Sequence, residues 1–458
     1  MNAIAAGHPL VAEVAAQIIA DGGNAVDAAC AAALAACVAE PVLVSLGGGG
    51  LAMVADRSNH VSLTDFWIRH GDHQDQLSGQ RIELDWAGDV KQSFMVGPGS
   101  VGVWRMASGL QALLDQYGSY SMQQVALPAI RLAESGVELN QSQAEWMQLL
   151  HEVHCLGYGG LNVDKAPEAG ERFVWPGLEE SLKLLAQKGA SAYEPQGAFW
   201  QQAQQVLGDS HAQALARAFR PAAGISVNAI MIGEWQLYAP DLPSLSGNVV
   251  AKCLSHIDEE LRAGDSHLAL TVLTALNNAE SLPSNSPSTS AISVSDDQGL
   301  KVSLVISNGS GSGVFADGVQ LNNAAGEVDL RSAAGNLPSG MLPTRMCPIF
   351  ARKDNDWVML GSGGSERIAS ATVHTLTGLM FSELSLSQAI EAPRFHVDEL
   401  GLQAEPQCLS DNEAQQLECE TNWWPEKHAF FGGVNAVGCL GGVKQAHADS
   451  RRQGAALS

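Results

Sequence analysis

Apolar residues recur at helical spacing from Pro9 to Ala20, at Val11, Val14, Ala15, Ile18 and Ile19, and Gly22-Gly23 stops that helix. Asn24 then supplies a cap for a second helix, Ala25 to Val38, which is small on every face and ends before Pro41. A helix with no polar stripe is a buried one, here packed closely against a sheet. Gly47 to Gly50 precede a short strand, Leu51 to Ala55. Ser121 and Gln124 form a capping-box pattern that opens Met122 to Ser135, with Pro128 as a kink inside it. Glu179 to Lys188, Asn248 to Ala263, Ile368 to Phe381 and Ser387 to Glu391 read as further helices, and Trp357 to Gly361 as a strand.

One hairpin stands out. Ala291 to Ser295 alternates apolar and polar, Asp296 to Gly299 carries turn chemistry, and Lys301 to Ser307 returns with Val302, Leu304 and Ile306 on one face. Thr289 sits at the entrance of its first strand. Ser and Thr at such positions commonly do no more than bond nearby backbone, so the threonine gains meaning only from its surroundings. Strands and helices mix without a strict βαβ rhythm, and no Pro/Ser-rich linker or charge run divides the 458 residues, which predicts one large unit.

Composition narrows the function classes. The formal charge of −24 disfavours nucleic acid and anionic membrane surfaces as partners, and an acidic substrate would need a local cationic pocket that acts within a Debye length of about 8 Å. Eight cysteines lie scattered with no C-x-x-C pair and read as mostly buried thiols. The histidines show neither H-E-x-x-H nor clustered spacing, so no metal and no cofactor is assigned. The opening Met1 to His8 has no basic or apolar signal region, and Ala28 to Val38 is too short to span a bilayer; a cytoplasmic location is expected, or a periplasmic one if a leader has been trimmed from this sequence. Asn308-Gly309-Ser310-Gly311-Ser312-Gly313 lacks the Gly-Lys-Ser/Thr ending of a phosphate loop and reads as a mobile turn. Trp423-Trp424-Pro425 and Phe430-Phe431-Gly432-Gly433 read as core and turn.

Several motifs occur in order: Gly22-Gly23-Asn24-Ala25-Val26-Asp27, the Thr289 hairpin, Leu321-Asn322-Asn323, Gly361-Ser362-Gly363-Gly364-Ser365 and Glu391-Ala392-Pro393-Arg394-Phe395. In this order the chain resembles the γ-glutamyltransferase (γ-glutamyltranspeptidase) family of the Ntn-hydrolase superfamily, as a divergent member. The resemblance weakens between about Ser142 and Asn285, where only Leu242 to Gly247 carries it. It implies an α+β fold, a four-layer αββα sandwich, with a large subunit 1–288 and a small subunit 289–458 made from one precursor. These associate as one domain and can assemble further.

The resemblance also implies the chemistry. Thr289 is the nucleophile, with Ser288 the runner-up by one position and Ser290 where a second threonine is usual. Cleavage before Thr289 frees an α-amino group whose reference pKa of about 7.7 to 8.0 suits it as the base for the hydroxyl proton. The oxyanion donors fall on Gly364 and Ser365, or on Gly363 and Gly364 if a gap is opened. Ser307 or Asn308 steadies the threonine. Asn323 and Glu327 surround the α-amino end of a γ-glutamyl donor, and Ser339 with Gly340, glycine replacing a serine, holds its α-carboxylate. Asp65-Phe66-Trp67 has a tryptophan where many members carry an arginine, which leaves Arg69, two residues on, as the substitute. The implied partners are a small γ-glutamyl amide such as glutathione and water or an amine acceptor.

Alternatives stand beside several of these assignments. Asn322-Asn323 can simply end a strand with Glu327 solvated, and Arg69 can be a surface arginine. The missing arginine and Gly340 also admit an amidohydrolase for another acyl amide, or an uncleaved, non-catalytic binding protein.

Overall fold

A computed structural model describes residues 1–71, 79–85, 91–159, 165–264, 267–278, 289–327, 337–338, 340–398, 401–415 and 421–458. Two antiparallel sheets carry the architecture. The first has seven strands in the spatial order Ala455–Leu457, Ala3–Ala6, Ser290–Ser295, Lys301–Ser307, Gly49–Ala55, Val61–Phe66 and Ala223–Ser226. The second has six: Val443–Ala448, Gly433–Leu440, Asp356–Gly363, Ile349–Lys353, Trp235–Tyr238 and Ile230–Ile232.

Side-chain alternation along these strands creates three apolar layers. Ile4, Ala6, Ala52, Val54, Ile292, Val294, Val302, Leu304 and Ile306 face outward onto helices, including Pro9–Ala20 and Ala25–Ala39. The opposite set, Ala3, Ala5, Leu51, Met53, Ala291 and Val305, packs against Phe350, Met359 and Val437 of the second sheet. The outer face of that sheet, with Ile349, Val358, Leu360 and Ala436, packs on Leu245–Ala263, Leu268–Asn278 and Arg367–Phe381. Helix, sheet, sheet, helix is the order of an αββα sandwich, an α+β fold.

The Ala25–Ala39 helix is buried at every position, as its small residues require, and Asn24 closes a capping box with Asp27. Asp27 also accepts from Ser119 N and Tyr120 N, which ties the helix start to the next helical hairpin. Asp296, in the turn of the Thr289 hairpin, accepts from Ala25 N at 3.2 Å and from Leu300 N at 2.9 Å. The helix N-terminus and the turn thus fix one another, a favourable placement for an anion.

Two expectations need correction. The Asn308–Gly313 segment is buried throughout and tied by Gly309 N to Ser307 Oγ, Ser310 N to Asn323 Oδ1 and Ser312 Oγ to Leu321 O, so it is an interior turn and not a mobile one. Trp423, expected in the core, is 46% exposed, because it ends the edge strand of a small three-stranded sheet, while Trp424 stacks on Phe430. The described cysteines are mostly buried, as expected: Cys30, Cys37, Cys253 and Cys347 are buried, Cys408 and Cys439 half-buried and Cys155 exposed, while Cys419 lies outside the described residues. No described helix is long and apolar enough to cross a membrane.

Candidate active site

Thr289 immediately precedes a central strand of the first sheet. Ser290 pairs with Ile306, so one step further back Thr289 stands opposite Ser307. By alternation Thr289 belongs to the same face as Ala291 and Ser293, the face that meets the second sheet. Cross-sheet bonds hold this strand in place: Ser293 Oγ donates to Asn435 O at 2.9 Å and Asn435 Nδ2 donates to Ala291 O at 2.8 Å. Thr289 itself is 7% exposed and lines a narrow cleft with Gly363, Gly433, Trp146 and Arg452. Ser288 lies outside the described residues.

The Gly361–Ser365 run ends a strand and enters the Arg367–Phe381 helix. Gly363 closes the strand against Gly433, and a β-carbon on it would lie 2.3 Å from Thr289 O. Only glycine permits that approach. Gly364 has φ +131 and would meet Gly432 Cα at 2.7 Å, while Ser365 holds φ +56, the left-handed region. A non-glycine residue there costs on the order of 1–3 kcal/mol, strain that concentrates at functional sites.

On the other flank, the residues expected around a donor fall into two adjoining groups. A β-carbon on Gly309 would be 2.2 Å from Asn323 Oδ1 and 2.9 Å from Glu327 Oε1, so Asn308 to Ser310, Asn323 and Glu327 form one polar nest. Glu327 is 2% exposed and Asn308 and Asn323 are fully buried, which removes the reading of Glu327 as solvated. Arg69 and Gly340 form the second group, joined by His70 N donating to Gly340 O at 3.0 Å. Asn322 bridges the two, since it binds Gly102 N at 3.0 Å and Gly47 O at 2.8 Å, and Gly102 abuts Arg69 O. Ser339 lies outside the described residues. Arg69 is no surface arginine: its side chain is 17% exposed and lies 3.7 Å from Asp65, which Arg105 also engages at 3.3 Å.

Sequence reasoning missed Glu40 and Arg452, which share the Thr289 cleft. Glu40 ends the Ala-rich helix with 1% exposure, and burial raises its carboxyl pKa to about 7, offset in part by the Ser290 hydroxyl and the Arg452 cation. Ser290 Oγ stands close enough to exert that effect but does not complete a hydrogen bond, leaving Ser290 Oγ and Glu40 Oε1 unpartnered. Burial lowers Arg452 to about 10. Its Nη1 donates to Thr289 O at 3.5 Å and its Nη2 to Ala429 O at 3.4 Å. The loop that carries it is anchored by the fully buried pairs Arg394–Asp449 at 2.7 Å and Arg451–Asp449 at 3.1 Å. The signal for Glu40 was a carboxylate terminating a buried helix whose other acidic residue, Asp27, is accounted for by the cap at the opposite end. Arg452 left no local signal.

A hydroxyl at the head of a central strand, between two facing sheets sheathed in helices, is the arrangement of an Ntn hydrolase. The gamma-glutamyltranspeptidase family profile matches residues 11–213 and 239–458, and the chain belongs to that family, as a γ-glutamyltransferase-like enzyme of the Ntn class. It is 24% identical over 463 residues to a glutathione hydrolase proenzyme of Pseudomonas sp. strain A14, covering 84% of this chain and 80% of that protein. It is also 24% identical to the Acylase ACY 1 proenzyme of Pseudomonas sp. strain V22, covering 94% and 88%. With a glutathione hydrolase proenzyme of Bacillus subtilis strain 168 the identity is 30% over 199 residues, 42% of this chain but only 33% of that protein. The solved cephalosporin acylase of Bacillus halodurans shares the fold with TM-score 0.81 at 19% identity, covering 100% of this chain and 95% of that one.

Proposed function

We propose that the chain cleaves itself before Thr289 and then hydrolyses or transfers γ-glutamyl groups through an ester on that threonine. The observation that carries this reading is the seating of Thr289 in the intersheet layer with its carbonyl against the Gly363 turn. In the first step Thr289 Oγ adds to the Ser288 carbonyl carbon, the C–N bond breaks, and the hydroxyl proton ends on the departing nitrogen. Water hydrolyses the resulting ester to a Ser288 carboxylate and the regenerated Thr289 hydroxyl, beside the α-amino group that the first step freed. The products are a large subunit 1–288 and a small subunit 289–458 that remain interleaved in one domain, because the Thr289 strand lies between strands of the large and small pieces.

The freed amine takes the hydroxyl proton as Thr289 attacks a donor amide, and returns it to the leaving amine. Backbone N–H groups of Gly364 and Ser365 stabilise the oxyanion, at roughly 2.7 to 4 kcal/mol per donor. Water or an amine then receives the acyl group. In this reading Asn323 and Glu327 bind the donor's ammonium, Ser339, Gly340 and Arg69 its α-carboxylate, and Ser307 and Asn308 steady Thr289. The arginines supply the local positive field that a −24 chain otherwise denies an acidic donor.

A second substrate reading, an acyl amide without the amino-acid head, is favoured by the Arg69–Asp65 pairing, which engages the arginine assigned to the carboxylate. The name of the Acylase ACY 1 proenzyme relative agrees with it. A panel of γ-glutamyl, glutaryl and simple acyl anilides separates the two. Preference for the γ-glutamyl compound, with no turnover by Thr289→Ala, supports the first reading; equal turnover by Thr289→Ala overturns both.

A further inference from the structure

The Ala25–Ala39 helix ends in a buried carboxylate, Glu40, at its C-cap. An anion at a helix C-terminus opposes the helix dipole, and a carboxylate removed from water is costly unless a partner holds it. Glu40 nevertheless sits there with 1% exposure. Around it converge residues from three other parts of the chain. Gly7 lies so close that a β-carbon on it would stand 2.8 Å from Ser290 Oγ and 2.9 Å from Glu40 Oε2. Arg452, six residues from the C-terminus of this sequence, enters the same cleft, with its guanidinium 5.4 Å over the Trp146 ring and its Nη1 on Thr289 O. Glu40 Oε1, Ser290 Oγ and Arg452 Nε are all buried without a hydrogen-bond partner, so polar capacity is concentrated at the peptide that joins Thr289 to Ser290.

We infer that Glu40 and Arg452 form a two-point clamp that positions Thr289, Arg452 through the Thr289 carbonyl and Glu40 through the Ser290 hydroxyl. Arg452 is bonded to the carbonyl of Thr289 and Glu40 faces Ser290, so both are assigned as positioning residues. The inference rests on Thr289 being the nucleophile. Its logic is geometric: with the Thr289 carbonyl held toward Arg452 and the Gly363 turn, and Ser290 held on the opposite face of the strand, the backbone at Thr289 cannot rotate about its own axis. As Glu40 ionises it becomes a better acceptor for Ser290 and a stronger partner for Arg452, so the clamp tightens as pH rises.

Self-cleavage is the step in which this can be read cleanly, since the Thr289 α-amino group does not yet exist and cannot contribute its own titration. The other groups facing Glu40 stay in one state from pH 5.5 to 8.5. Burial raises the Cys37 thiol further above its ordinary value and lowers His8, beside Gly7, to about 4, while Arg452 stays protonated. Gln143 and Trp146, on the adjacent helix, do not titrate.

The test is a time course of fragment appearance from the full chain, newly synthesised as precursor and moved into buffers from pH 5.5 to 8.5, read by intact mass. Wild type should cleave faster as pH rises through about 7, where the Glu40 carboxyl titrates. Glu40→Gln should cleave at least 10-fold more slowly, with that rise abolished; Glu40→Asp should recover part of the rate and keep the rise. Glu40→Gln with wild-type rate and pH profile overturns the clamp. Should Glu40→Gln fail to fold by circular dichroism, Glu40→Asp decides: a rate indistinguishable from wild type overturns the inference and a slower rate with the pH rise intact supports it. Thr289→Ala keeps the two questions apart, because fragments from that variant would remove Thr289 as nucleophile whatever Glu40 does. A wild-type chain that never cleaves removes both.

Discussion

Gly363 presents its bare α-carbon to the carbonyl oxygen of Thr289, with room for nothing larger than hydrogen: a β-carbon would come within 2.3 Å. The partner is backbone, at the head of a strand bonded on both sides, and cannot step aside. Gly363→Ala must therefore displace either the strand or the turn. We expect a loss of about 1–3 kcal/mol in stability, the usual cost of overpacking, and a fall in turnover of at least 100-fold as Thr289 and the oxyanion turn separate. Thermal melts and initial rates on the same preparation check this.

Glu327 is buried in the nest with Asn323, which in the proposed reading receives the ammonium of a γ-glutamyl donor. Hydrogen bonds to charged groups contribute about 1.5–3 kcal/mol, so Glu327→Gln should raise KM for a γ-glutamyl anilide by about 10- to 100-fold. The same variant should leave KM for a glutaryl anilide, which lacks the amino group, within about twofold.

Arg69 shares Asp65 with Arg105, so part of its charge is already spent inside the protein. If it still reaches the donor carboxylate, Arg69→Ala raises KM with kcat little changed, the signature of lost uniform binding. We expect about a 10-fold rise for carboxylate-bearing donors and none for an uncharged acyl anilide, measured as full kinetic curves for both.

Much of this was legible beforehand, and the boundary has physical causes. The Pro9–Ala20 and Ala25–Ala39 helices, and the strands either side of Asp296 to Gly299, announce themselves because period and punctuation are local properties. The placement of the Gly361–Ser365 run between strand and helix was readable for the same reason. The Asn308–Gly313 turn was misjudged because glycine and serine content reports flexibility of the chain in isolation; here Asn323 and Leu321 bury it. Glu40 and Arg452 escaped because their relation is tertiary, made across more than 400 positions by the closing of the first sheet with the strand Ala455–Leu457.

Glu40 also makes a prediction about stability. Its folded-state pKa, about 7, lies above its ordinary 4.5, because burial penalises the charged form. The unfolded chain therefore releases this proton first, and the stability associated with the neutral group is fully present below pH 4.5 and lost as pH rises through 7. At about 1.4 kcal/mol per pH unit, the loss amounts to roughly 3 kcal/mol across that window. The stability of Glu40→Gln relative to wild type should accordingly increase from pH 4.5 to 7, measured by urea unfolding at matched ionic strength; a constant difference would show that Glu40 titrates normally.

The most direct test of the central claim is a denaturing intact-mass spectrum of freshly purified protein beside Thr289→Ala, with N-terminal sequencing of any smaller fragment. The account predicts two pieces in wild type, the smaller beginning at Thr289, and a single chain of 48.1 kDa in the variant. One stable 48.1 kDa chain in both, after prolonged incubation, would contradict it.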